Sequence, residues 1–420
     1  MTNATIAVVG LGYIGLPTAV VLANSGHRVV GIDTNTACVE RINRGESTII
    51  EPGLQTQLKQ ALESENFQAT TEYVHADVYI IAVPTPFTHD HELDISFIFS
   101  AADSIAPHLV GGELVILEST SPPLTTSRLA RRILDQRPDL TVDNAATASE
   151  KPVIYFAHCP ERILPGHALE ELKGNDRIIG GQTPEATRRA TEVYSSFCLG
   201  ELHGTNDVTA EMVKLTENAF RDVNIAFANE LSMISEKVGV DVWELVSLAN
   251  RHPRVDILQP GPGVGGHCIA VDPWFIVAAD PENSRLIRTA REVNDSKPSW
   301  VVDKINNTLD TNHSDVSTTV AILGLSFKAD IDDLRQSPAV EITMETAQAN
   351  PSHQFLVVEP HIDALPRSLS DLTNVELTSL EDALNQAELV ALLVDHSVFR
   401  KIPEKILVDK TLIDTRGIWR

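Results

Sequence analysis

The sequence predicts an α/β protein: two doubly wound, Rossmann-like domains joined by a helical segment with one long central helix. Three observations carry this. Short apolar runs alternate with helical stretches through the N-terminal half, as in a parallel sheet flanked by helices. Asp207 to Val238 then contains neither Gly nor Pro and is rich in Glu, Lys, Ala, Met and Leu. Beyond Ser317 the alternation returns and echoes the start of the chain. The expected division is an α/β domain over 1–205, a helical segment over 206–310 and a second α/β domain over 311–420.

In chain order, the first runs are Thr5–Gly10, Arg28–Ile32, Val78–Val83, Leu114–Glu118 and Val153–Ala157. Thr5 to Ala23 is uncharged and mostly apolar, but Gly10, Gly12, Gly15 and Pro17 interrupt it, and no basic residue precedes it. A buried strand entering a helix explains it better than a membrane or secretory segment. Thr205, Asn206 and Asp207 are candidate N-caps of the central helix, and helical character continues over Val242–Ala249. A Pro/Gly-rich loop follows from His252 to Pro273, and Asp310–Ser317 is a polar linker. In the last segment TVAILGLSFK resembles TIAVVGLGYIG, FLVVEP resembles RVVGID, and ELVALLVDHS resembles DVYIIAVPTP. This is a second, degenerate mononucleotide-type fold.

A net charge of −25 with no Lys/Arg run argues against a nucleic-acid or anionic-membrane partner. An anionic ligand then needs a local group of donors. Cys38, Cys159, Cys198 and Cys268 show no regular spacing, so they read as reduced cytosolic thiols rather than disulfides or a zinc site. His89-Asp90-His91-Glu92 has metal-ligating residue types, but it lies in a polar loop with no third cluster in the sequence and reads as a solvated loop; no metal is expected.

Gly10-Leu11-Gly12-Tyr13-Ile14-Gly15 follows a strand and opens a helix, and the next strand ends at Asp33. That is the dinucleotide fingerprint in its proper context. The glycines allow a tight turn, close approach of a pyrophosphate, and helix–strand packing, with the helix N-terminus facing the phosphates. Asp33 can accept from the ribose hydroxyls and repels a 2′-phosphate, so NAD is expected over NADP. Pro84, Thr85, Ser119 and Thr120 sit at the ends of later strands, the edge where open parallel sheets bind ligands.

Cys268 ends the run Gly261-Pro-Gly-Val-Gly-Gly-His-Cys, which includes Gly263 and Gly265 and gives little side-chain cover. Backbone amides there can approach a ligand, and an electropositive setting lowers a thiol pKa. Cys159, in His158-Cys159-Pro160-Glu161-Arg162, is the rival nucleophile, without glycines around it. Asp272 lies four residues beyond Cys268. Lys214 and Asn218, four apart, share a face of the central helix and can hold an oxyanion; the alternative is a solvated polar stripe with Glu211 and Glu217. In the C-terminal repeat one glycine, Gly324, survives, and Lys328 stands where the phosphate cradle would be, followed by Arg335. A Lys and an Arg beside one strand-turn suit a nucleoside diphosphate. Arg251, His252 and Arg254 add a cationic group before the cysteine loop, with surface ion pairs as the alternative.

GLGYIGLP, AVPTP, ESTSPP, CPER, KLTENAFRDVNIAFANE, PGPGVGGHCIAVDP and GLSFKADIDDLRQSPA occur in the order seen in the UDP-glucose/GDP-mannose dehydrogenase family, which the chain resembles over essentially its whole length. The resemblance implies an N-terminal NAD domain, a dimer-forming helical middle and a C-terminal UDP domain. It implies that Cys268 forms a thiohemiacetal and then a thioester, that Lys214 and Asn218 stabilise oxyanions, and that Asp272 and Glu161, with Thr120 nearby, serve hydrolysis. Substrate contacts would come from Glu161, Arg162, Lys214, Asn218, Arg251, His252, Arg254, Gly263, Gly265, Lys328, Arg335 and Arg416.

Asn250–Arg254 and His267–Trp274 resemble the UDP-N-acetyl-D-mannosamine branch, and a surface-polysaccharide pathway is implied. Departures from the UDP-glucose branch agree: Pro165 replaces a second acid after Glu161, and His267 and Ile269-Ala270-Val271 flank the cysteine where that branch carries a Lys before the Asp. Leu124 replaces a Gly common in the Pro-Pro-Gly-Thr turn. Alternatives are the UDP-N-acetylglucosamine substrate, a two-electron hydroxy-acid dehydrogenase, and an inactive nucleotide-sugar-binding protein.

Overall fold

The computed structural model describes residues 4–86, 94–142, 150–164, 166–266, 268–313 and 317–419. The His89–Glu92 loop, Pro165 and His267 lie outside the described residues. The chain separates into two compact units, Met1–Glu217 and Asn218–Arg420, with the central helix, Asp207–Val238, running from one into the other. Among the described residues no helix is long and apolar enough to cross a membrane.

The first unit is built on strands β1 (Thr5–Val9), β2 (Arg28–Ile32), β3 (Phe67–Thr70), β4 (Val78–Ile81), β5 (Leu114–Leu117), β6 (Thr141–Val142), β7 (Val153–His158), β8 (Arg177–Gly181) and β9 (Leu202–Asn206). Their order is β3-β2-β1-β4-β5-β7-β8-β9, with β6 beside β7. All pairs are parallel except β7–β8, where Ala157 faces Gly181 and His158 faces Gly180. Ile6 and Val8 pack into one apolar layer, Ala7 and Val9 into the other, so the sheet is covered on both faces.

The second unit contains a five-stranded parallel sheet: β10 (Thr319–Leu323), β11 (Gln354–Val358), β12 (Val375–Leu377), β13 (Leu389–Leu392) and β14 (Thr411–Asp414), in the order β12-β11-β10-β13-β14. The echo read in the sequence extends to atomic detail. Gly10 and Gly324 both adopt a φ of +93°, and their N–H groups donate to Ile32 and Val358 at 2.8 and 2.9 Å. The Leu11 and Leu325 N–H groups then donate to the acids ending the second strand of each fold, Asp33 and Glu359. A second long helix, Arg285–His313, was not singled out in the sequence because Pro298 lies inside it.

Leu124 holds a left-handed conformation, φ +71° and ψ +7°, while its N–H donates to Glu211 at 2.6 Å. Leu124→Gly is expected to stabilise the fold by about 1 kcal/mol, the left-handed cost less the backbone entropy that glycine loses on folding. A urea midpoint that stays put or falls would reject this reading of the turn.

Candidate functional site

In the first unit the fingerprint forms the cradle a pyrophosphate needs. A Cβ on Gly10 would stand 2.5 Å from the Ala82 carbonyl, and one on Gly15 1.8 Å from the Gly10 carbonyl, whereas around Gly12 the space is open. The helix Gly15–Asn24 begins here with Ile14 at its N-cap. Asp33 stands at the end of β2, its carboxylate fixed by the N–H groups of Leu11 and Asn35, both at 2.9 Å. These residues fit NAD. Tyr13 donates its hydroxyl to buried Glu51 at 2.8 Å, and Glu51 also accepts from the N–H groups of Gly166 and Ala168. The fingerprint turn is thereby tied to the segment after Glu161, a link the sequence did not reveal.

Beside it, Pro84 is exposed, and Thr85 and Thr120 are half-buried. The buried Ser119 hydroxyl donates to the Val83 carbonyl at 2.8 Å, holding two strand ends together.

Behind this edge lies a buried charge cluster. Arg177 donates to Glu161 at 2.9 Å, and Tyr194 donates to Glu118 at 2.7 Å. The guanidinium stacks 4.9 Å from the Tyr194 ring. Reversal of β8 explains the arrangement, since it brings the strand's first residue, Arg177, to the carboxyl edge of the parallel strands. Arg162 pairs with Glu217 at 2.7 Å and bonds the Asp176 carbonyl. Cys159 is fully buried here and burial pushes its thiol up to about 12, which disfavours it as the nucleophile.

Burial also pushes Glu118 up from 4.5 to about 7. The folded state therefore holds this proton more tightly than the unfolded chain. The contribution to stability is fully present below about pH 4.5 and is lost as pH rises through about 7. Glu118→Gln is expected to flatten that loss, and thermal midpoints of variant and wild type compared at pH 5 and pH 8 check it; parallel profiles would count against it.

The solvated stripe offered as the alternative for Lys214 fails for Glu211. That carboxylate is buried and accepts from the Leu124 N–H, the Thr126 N–H and the Thr126 hydroxyl at 2.6–2.7 Å. Lys214 itself is half-buried.

In the second unit, Cys268 is exposed. Its carbonyl accepts from the Asp272 N–H at 2.9 Å, at the start of the helix Asp272–Ala279. Asp272 is buried and accepts from Asn218 Nδ2 at 2.5 Å, so the acid and the amide singled out separately in the sequence form one pair. The glycines let the cysteine loop lie against the C-terminal fold: a Cβ on Gly263 would be 2.9 Å from Pro338, and one on Gly265 2.7 Å from the Gln336 carbonyl. Where they meet is a cavity of about 30 Å³ whose lining includes Gly263, Phe327, Lys328 and Arg416.

Arg335 is not among those lining residues; it is exposed and turned onto Asp333 at 2.6 Å. Arg416, bonded to Asp395, is among them with Lys328. Arg251, His252 and Arg254 form an exposed turn. The counterpart of Asp33 is closed to a ribose: Glu359 is buried and accepts from Leu325, Ser326 and His396 at 2.7–3.0 Å. The second fold therefore suits a mononucleotide rather than a second dinucleotide. Asp330, His361 and His396 approach within 4.8 Å of one another. Both His396 nitrogens are engaged, Nδ1 by the Asp330 N–H and Nε2 by Glu359, so this trio braces the turn.

Models of the UDP-glucose/GDP-mannose dehydrogenase family match the chain in three parts: the NAD-binding domain at residues 4–198, the central domain at 208–296 and the UDP-binding domain at 321–420. The chain is 55% identical to the NDP-N-acetyl-D-galactosaminuronic acid dehydrogenase of Ralstonia nicotianae, over 99% of this chain and 96% of that one. It is 52% identical to the UDP-N-acetyl-D-mannosamine dehydrogenase of Escherichia coli K12 over the full length of both. The UDP-D-ManNAc dehydrogenase structure from Pyrococcus horikoshii superposes with a TM-score of 0.85 at 37% identity, covering 99% of this chain and 96% of that one.

Proposed function

Because the chain belongs to the UDP-glucose/GDP-mannose dehydrogenase family, we propose that it oxidises C6 of UDP-N-acetyl-D-mannosamine to the carboxylate through a thioester on Cys268. The coarser activity stands on the family itself: the chain is an NAD-dependent UDP-sugar dehydrogenase. NAD, when bound at Gly10–Gly15 and Asp33, supplies the hydride acceptor. The finer reading rests chiefly on the exposed Cys268 beside the buried Asn218–Asp272 pair.

The C6 alcohol loses a hydride and a proton to give the aldehyde. Cys268 Sγ adds to that carbon, its thiol proton ending on the former carbonyl oxygen, and a thiohemiacetal forms. Loss of a second hydride and the hydroxyl proton gives the thioester. Water adds, the C–S bond breaks, and the carboxylate leaves with the thiol restored. Lys214 and Asn218 donate to the oxyanions, Asp272 and Glu161 accept protons from water, and Lys328 and Arg416 hold the diphosphate. The cationic turn at Arg251, His252 and Arg254 serves the substrate end, and Arg254 reaches a partner subunit's substrate.

We assign the dimer to the middle segment of the three-part division. Phe220, Phe227 and Ile234, at seven-residue spacing on the central helix, are 68%, 53% and 50% exposed.

The relative named for a galactosaminuronic acid favours a second reading, an N-acetylgalactosamine substrate. Turnover of UDP-ManNAc, UDP-GlcNAc and UDP-GalNAc compared by kcat/KM decides the sugar. Preference for UDP-ManNAc, with about two NADH per sugar, is expected from the two hydride steps. Preference for another sugar overturns the substrate, one NADH per sugar overturns the thioester, and none with any UDP-sugar leaves a binding protein.

A further inference from the structure

We propose that Asn229 is a positioning residue for the cysteine loop, the second of two anchors by which one face of the central helix holds residues 261–272. The proposal rests on the reading of that loop as the carrier of Cys268 and the UDP-sugar.

Asn218, Asp222 and Asn229 fall on one face of the central helix, since steps of four and eleven residues each return close to whole turns. Asn218 holds the far end of the loop through Asp272. Asn229 holds the near end, its Oδ1 accepting the Gly261 N–H at 2.9 Å. Eleven residues of helix place the anchors about 16 Å apart. The loop between them is thus fixed at both ends by side chains of one rigid element.

The Asn229 amide is held in one orientation. Its Nδ2 donates to Asn294 Oδ1 at 2.9 Å, and Asn294 Nδ2 donates to Asp222 Oδ1 at 2.8 Å. Asp222 is paired with Arg291 at 2.5 Å. All four side chains are buried. A flipped Asn229 would set its NH₂ against the Gly261 N–H and its oxygen against Asn294 Oδ1, so the relay selects the acceptor orientation. On its other side Gly261 meets the C-terminal fold: a Cβ there would be 2.6 Å from Arg416 Nη1. The near anchor therefore sets the loop's height against Arg416, a cation lining the cavity beside Lys328.

The test uses the full chain, with UDP and NAD titrated by calorimetry and KM measured for the UDP-sugar. Asn229→Leu is expected to weaken UDP binding and raise the UDP-sugar KM by about tenfold, the scale of one lost oriented hydrogen bond, with NAD binding unchanged. Asn229→Asp, which keeps an acceptor for Gly261 but sets its second oxygen against Asn294 Oδ1, is expected to recover only part of that loss. Asn294→Ala, which removes only the orienting contact, should show a smaller shift in the same direction. A purely structural role would lower the melting midpoint while leaving UDP affinity and KM at wild-type values, and that overturns the proposal. Should Asn229→Leu fail to fold, Asn294→Ala decides alone, wild-type UDP affinity counting against it. If the wild type itself does not bind UDP, the functional reading fails rather than the anchor.

Discussion

Cys268→Ala is expected to abolish formation of the uronate, with acid production reduced by at least about a thousandfold, because no other group replaces a covalent nucleophile. NAD affinity should be unchanged, since the residues assigned to the NAD cradle, Gly10, Gly12, Gly15 and Asp33, are left intact. The environment of the rival thiol gives the control. Cys159 is buried with a thiol pushed up to about 12, whereas Cys268 is exposed on a loop whose glycines give little cover. Cys159→Ala should therefore cost stability, about 1–3 kcal/mol from the small cavity it leaves, and retain turnover. NADH and acid measured together separate the outcomes. Normal turnover by Cys268→Ala would remove the nucleophile assignment. Loss of chemistry in a folded Cys159→Ala would transfer it.

What the sequence revealed and what it concealed divide along a physical line. The fingerprint at Gly10–Gly15, the acid at Asp33 and the central helix Asp207–Val238 are local patterns, and the described structure carries each at the residues read from the chain. Neighbours in space were harder to see. Arg177 reaches Glu161 because β8 runs against the strand beside it, and strand direction leaves no mark in an apolar run. Glu211 looked like part of a solvated face by periodicity, yet it satisfies two backbone N–H groups eighty-odd residues away. Arg335 was read from its charge and its turn, whereas its pairing with Asp333 two residues away depends on a side-chain conformation that the sequence does not show. The cue available for Arg416 was a lone Arg after the last strand, too common to single out without the family resemblance. The pairing of Asn218 with Asp272 was also hidden: both residues were named, but only folding brings positions 54 apart within hydrogen-bond distance.

That pairing underlies the second large effect. Asn218→Leu is expected to lower kcat by about a hundredfold or more, the scale seen when one oriented oxyanion donor is removed. Asn218 is an amide with two N–H bonds on one nitrogen; Asp272 takes one at 2.5 Å, which aims the other. Leucine removes the aimed donor and also takes from the buried Asp272 its Asn218 contact, so both oxyanion stabilisation and proton acceptance suffer. Asn218→Asp tests the direction of the argument more sharply. It preserves size but sets a carboxyl against the Asp272 carboxyl, and like charges at that distance force one of them to bind a proton. Its residual activity should then rise at lower pH, where the shared proton restores a donor, while the wild type shows no such gain. A pH profile for Asn218→Asp parallel to the wild type, or an Asn218→Leu enzyme within threefold of wild-type kcat, would mean that the amide merely packs against the acid and that the oxyanion is held elsewhere.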